Sequence, residues 1–147
     1  MEARVLTTPI EQFKRPVVAG LDYRIRPHQL VIYYHSNGGK DIDYDIIFEQ
    51  PRGFKCLDEG DMVTYWESRL LVDNWLFEIL GGGWLDREDA QGGFSSKALG
   101  FREFLITGVD DCISVLSNEE PIIVKRQNPV VNASLLLQSR PADLGAK

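Results

Sequence analysis

The chain has 147 residues, 44% hydrophobic and 26% charged, enough apolar material for the core of one domain and too much for a disordered segment. No apolar run approaches the ~20 residues of a membrane-spanning helix. Met1 to Pro9 also lack the apolar run of a secretory leader, so a cytoplasmic location is expected. The net charge of −6 is concentrated, since residues 41–120 hold 18 acidic and 6 basic side chains. That balance repels phosphate backbones and argues against nucleic acid as a partner. A basic protein is a better match, because complementary fields speed encounter. The plainer reading is that the acids only keep the surface solvated.

In chain order, residues 1–16 read as an arm, broken by Thr7, Thr8 and Pro9 and ending in Lys14-Arg15-Pro16. Val17 to Arg26 reads as a strand containing Gly20, and Pro27 stops it. Gln29 to His35 is rich in strand formers. Ser36-Asn37-Gly38-Gly39-Lys40 suits a tight hairpin turn, since Asn-Gly tolerates positive φ. Asp41 to Glu49 is the return strand. It alternates Ile42, Tyr44, Ile46 and Phe48 against Asp41, Asp43 and Asp45, as expected of a sheet covered on one face.

After a turn at Pro51-Arg52-Gly53, Phe54 to Leu57 is a short strand. Asp58 or Asp61 can cap a helix, and the spacing of Met62, Tyr65, Trp66 and Arg69 predicts that helix over 61–71. Residues 72–86 are ambiguous between helix and strand. The alternation of Trp75, Phe77 and Ile79 favours a strand over 75–80, a bend at Gly81-Gly82-Gly83, and a continuation through Trp84-Leu85. Glycines in such a pattern mark a bulge or a close backbone approach. Residues 87–100 read as a long polar loop. Phe101 to Thr107, Cys112 to Leu116 and Ile122 to Lys125 form a meander of three strands. Residues 132–138 suit a turn or two of helix, and residues 140–147 a frayed tail. The fold class is therefore α+β: one domain, predominantly antiparallel β-sheet of about six to eight strands, with one or two short helices.

Motifs that carry chemistry are scarce. Asp58, Glu59 and Asp61 cluster, as do Asp110 and Asp111, and carboxylates brought together can hold a divalent cation or divide acid and base roles. Their spacing fits no calcium loop, and Asp-Asp is ordinary turn chemistry. A nucleophilic Cys112 with His35 as base lacks the cation or helix N-terminus that lowers a thiol pKa. Cys56 and Cys112 read as buried free thiols. Gly81-Gly82-Gly83 lacks the Gly-Lys-Ser/Thr ending of a phosphate loop. No cofactor or metal is expected.

Trp84 stands before Asp86, Glu88 and Asp89, and tryptophan beside acids suits an interface for a basic protein. The candidate partner-binding residues are Trp84, Asp86, Glu88 and Asp89, with Asp41, Asp43 and Asp45 on the hairpin. Two segments, Gly53 to Asp61 with Trp66 and Phe104 to Ser117, resemble stretches of small cytosolic bacterial proteins, among them immunity proteins of polymorphic or contact-dependent toxin systems. The resemblance spans under a third of the chain. That group shares no single fold, so no residue roles carry over. It implies a protein that binds a cognate, basic, nucleic-acid-directed toxin and occludes its active site. A metal-dependent enzyme using Asp58, Glu59 and Asp61, and a subunit that homodimerises through a strand edge, are the alternatives.

Overall fold

Side chains that alternate apolar and polar can be buried only if one face of a sheet is covered. The computed structural model describes residues 1–8, 16–35, 43–67 and 73–126, and it meets this demand by packing two sheets face to face. Nine strands are formed among the described residues: β1 (Glu2–Val5), β2 (Val17–Ile25), β3 (His28–His35), β4 (Asp43–Glu49), β5 (Gly53–Asp58), β6 (Leu76–Gly81), β7 (Arg102–Thr107), β8 (Asp111–Ser117) and β9 (Ile122–Lys125). One sheet has the order β1-β6-β7-β8-β5 and the other β2-β3-β4-β9. Every neighbouring pair is antiparallel. The architecture is thus the mostly antiparallel α+β fold that the periodicity predicts.

The core between the sheets joins Leu30, Ile32, Tyr34, Ile46 and Phe48 from the four-stranded sheet to Phe104, Ile106, Ile113 and Val115 from the five-stranded one and to Trp75, just before β6. Full burial of such side chains contributes roughly 1.5–3 kcal/mol each. Tyr34 stacks on Trp75 with ring centroids 4.6 Å apart, and its hydroxyl donates to the Thr107 carbonyl at 3.0 Å, so the phenol is satisfied where it is buried. At the β1 end, Glu78 (7% exposed) bonds to Arg102 at 2.7 and 2.9 Å and to Arg4. These bonds hold its carboxyl down at about 2.

The outer face of the five-stranded sheet is also apolar, carrying Phe77, Ile79, Leu105 and Cys112. Two short helices cover it. A 3₁₀ turn (Glu59–Asp61) leads into a single-turn helix, α1 (Val63–Trp66), which lays Met62 and Tyr65 on the sheet. The second helix, α2 (Trp84–Gln91), buries Leu85.

Several expectations are corrected. Residues 2–5 of the supposed arm form an edge strand on β6, and Leu6 enters the core. Trp84-Leu85 begins a helix rather than continuing a strand, and that helix occupies the first part of the expected long loop. β9 does not extend the meander: β7 and β8 pair, while β9 crosses to β4 in the other sheet. Its Ile123 thereby packs against the common core. Cys112 is buried, but Cys56, on the edge strand β5, is exposed. The helix predicted over 61–71 is described only as far as Trp66, with Glu67 as its C-cap. Its continuation through 68–71, the hairpin turn at 36–40, Asp41, the helix at 132–138 and the tail lie outside the described residues.

Candidate functional site

A buried carboxylate that accepts three hydrogen bonds lies beneath Trp84. The first N–H groups of a helix have no partner within it, and Gly83, at the N-cap of α2, offers no side chain to accept from them. Glu103, on the outer face of β7 and 1% exposed, supplies the acceptor. Its Oε1 accepts from Trp84 N–H at 3.1 Å and from the Tyr65 hydroxyl at 2.8 Å, and its Oε2 accepts from Leu85 N–H at 2.9 Å. A carboxylate here also meets the positive end of the helix dipole. A Cβ on Gly83 would stand 2.5 Å from Glu103 Oε2 and 2.6 Å from Ile79 Cγ2. The third glycine is therefore required by close approach. Burial, and then the Glu103 charge, push the Tyr65 phenol up to about 12.

This arrangement places Trp84 over β5, where its ring meets Gly53. The ring's surroundings are cationic. Lys55 Nζ lies 4.9 Å from the ring centre, within cation–π range. Arg87, one turn along α2, lies over Tyr65 and near its hydroxyl, at 5.5 Å from the ring centre and 3.4 Å from Oη. Desolvation, and then the Arg87 charge, push the Lys55 pKa down, against the pull of Glu103 and Glu88. On its Gly53 side, Trp84 walls a hollow of about 280 Å³ with Arg52, Phe94, Ser95 and Ser96. Arg52 donates to Ser95 Oγ at 3.2 Å.

The predicted site residues fall in two places, Trp84, Asp86, Glu88 and Asp89 on α2 and Asp43 and Asp45 on β4 of the other sheet. Trp84 is half-buried, and the chain after it is not a free acidic loop. Asp86 accepts from Gly82 N–H at 2.7 Å and pairs with Lys97 at 2.9 Å. These bonds, the backbone one first, hold its carboxyl below the usual range. Glu88 is half-buried and Asp89 exposed, both on α2. Asp45 is on the outer face of the other sheet, where it pairs with Arg126 at 2.8 Å. Asp43 begins β4, and Asp41 lies outside the described residues.

A different acidic surface does form. In the β5–β8 pair Asp58 stands opposite Asp111, and Glu59 N–H donates to the Asp110 carbonyl at 2.9 Å. The two acidic turns, far apart in sequence, thus meet at one end of the five-stranded sheet. Asp58, Glu59, Asp61 and Asp110 are exposed and Asp111 half-exposed. None of the five is in an ion pair among the described residues. Exposed Val109 (39%) lies in the second turn, and exposed Val63 (63%) opens α1 just after the first. Asp58 also caps the 3₁₀ turn by accepting from Gly60 N–H at 2.8 Å. Among the described residues no group of three or more His, Cys, Asp and Glu side chains is arranged to hold a metal ion.

Sequence reasoning missed Glu103, Arg52, Lys55 and Arg87. The triple glycine signalled a close backbone approach, but not which residue approaches. The domain is an antiparallel two-sheet sandwich with helices on one face. No family model, curated protein or solved structure matches the chain.

Proposed function

We propose that this protein is a protein-binding module that docks a basic partner on the acidic end of its five-stranded sheet. Most concretely, it is an immunity protein that neutralises a cognate basic toxin by occluding the toxin's active site. The observation that supports this reading is the meeting of the Asp58–Asp61 and Asp110–Asp111 turns, with exposed Val63 and Val109 next to them in the chain. Carboxylates without internal counter-ions create a field that steers a positively charged surface. Apolar side chains among them supply area that a partner can desolvate. Occlusion needs only a surface of complementary charge and shape, which agrees with the scarcity of catalytic motifs in the sequence. The test is co-expression with the product of each flanking gene. One of them should arrest growth alone, be tolerated together with this chain, and co-elute with it. Absence of both protection and complex for every flanking product would overturn the proposal.

A further inference from the structure

The cationic surroundings of Trp84 are unexpected in a chain of net charge −6. Among the described residues, Arg4, Arg24, Lys97, Arg102 and Arg126 are each ion-paired with a carboxylate. Arg26, Arg52, Lys55, Arg87 and Lys125 are not; of these, Arg52 lines the hollow with Trp84, Lys55 lies over the Trp84 ring, and Arg87 lies over the neighbouring Tyr65. Arg87 repels Lys55, which Glu103 and Glu88 offset only in part, and a bound anion relieves what is left of that repulsion. The hollow adds shape to this charge. Arg52 and the Ser95 hydroxyl form one polar corner, and Trp84 and Phe94, with ring centroids 6.4 Å apart and tilted by 42°, form an aromatic wall. A volume of about 280 Å³ is just below the usual range for drug-sized ligands and leaves room for one ring and one charged group.

We infer that the Arg52–Ser95–Trp84–Phe94 hollow is a binding site for a small aromatic anion, a single flat ring bearing one phosphate or carboxylate. The anionic group meets the Arg52 guanidinium and the Ser95 hydroxyl, where charge-assisted hydrogen bonds are strongest. The ring lies against Trp84 and Phe94, and Lys55 adds a positive field from across the Trp84 ring. The site is independent of the acidic end. Gly53 and Leu116 at the hollow are five residues along the β5–β8 pair from Asp58 and Asp111, roughly 17 Å at strand rise.

The experiment is titration of the full chain with phenyl phosphate, followed by calorimetry and tryptophan fluorescence, with inorganic phosphate and benzyl alcohol as single-feature controls. Saturable one-to-one binding is expected, about tenfold or more tighter than either control and weakened by salt. Arg52→Gln should weaken it by about tenfold or more, the loss of one charge-assisted contact. Trp84→Phe should abolish the fluorescence change while retaining most of the calorimetric signal. Should Arg52→Gln fail to fold, Ser95→Ala carries the test, with a loss of severalfold. Absence of saturation by phenyl phosphate, or equal affinity in a folded Arg52→Gln or Ser95→Ala variant, overturns the inference.

Discussion

Replacing Glu103 tests how the outer layer of this domain is held. Its two oxygens receive three donors, one of which, Trp84 N–H, is shared with the Tyr65 hydroxyl at 2.9 Å. Glu103→Gln can keep Oε1 facing Tyr65 and Trp84. It must then place an amide NH₂ against Leu85 N–H, leaving a buried donor unsatisfied at a cost of about 1–3 kcal/mol. Loss of the negative charge at the start of α2 adds up to ~1 kcal/mol, so about 2–3 kcal/mol is expected. Glu103→Ala removes all three bonds and leaves a space beneath the helix. Because the three donors share one acceptor group, the losses do not sum fully, and about 4 kcal/mol is expected. Tyr65→Phe, which removes one donor to Glu103 and one acceptor of Trp84 N–H, should cost about 1–2 kcal/mol. Urea denaturation monitored by far-UV circular dichroism measures all three variants. A Glu103→Ala variant within ~1 kcal/mol of wild type would refute the assignment of Glu103 as the cap of α2, on the scale of measured cap losses.

Other outcomes follow from the same geometry. Gly83→Ala should destabilise by about 2 kcal/mol or more in the same assay, because the new methyl meets Glu103 and Ile79 well inside van der Waals contact. Equal stability would show that the bend relaxes freely. Glu78 is held at about 2 against 4.5 for a free carboxyl, so its ion pairs stabilise the fold above the unfolded pKa. That contribution, about 3 kcal/mol, is lost as pH falls from about 4.5 through about 2. Glu78→Gln should flatten this part of the stability profile, and an unchanged acid limb would contradict the pairing with Arg102 and Arg4. The Tyr65 phenol is pushed up to about 12, so its contribution is complete below pH 10 and lost as pH rises towards 12. Ultraviolet difference titration should show one fewer late-ionising tyrosine in Tyr65→Phe, and an identical curve would contradict its burial against Glu103.

The strands were readable because their side chains repeat with a period of two. The alternation of Ile46 and Phe48 with Asp45 places the core face of β4 without any tertiary information. β1 was not readable, because Glu2-Ala3-Arg4-Val5 has almost no apolar alternation. Its place on β6 depends on a partner more than seventy residues away. α2 was misread because Trp84 favours strands and follows the alternation of Trp75, Phe77 and Ile79, whereas the helix starts there through an acceptor supplied by Glu103 from another element. The same non-local logic governs the surface. Two acidic turns each looked ordinary in sequence, and only the β5–β8 register joins them. The acids after Trp84, which looked like one loop, are divided between a turn lock at Asp86 and the helix surface.

Charge reversal at the acidic end addresses the proposed function most directly. Glu59, Asp61 and Asp110 make no side-chain hydrogen bond among the described residues, whereas Asp58 caps a turn and is left intact. The triple variant Glu59→Lys, Asp61→Lys and Asp110→Lys should keep the wild-type melting temperature to within a few degrees, since isolated surface changes cost little. The measurement is calorimetric titration of wild type and variant with the flanking-gene product that the chain protects against, at low and high salt. Tight, salt-sensitive binding by the wild type and its loss in the folded variant are expected. Equal affinity of the two proteins would contradict docking at this end of the sheet.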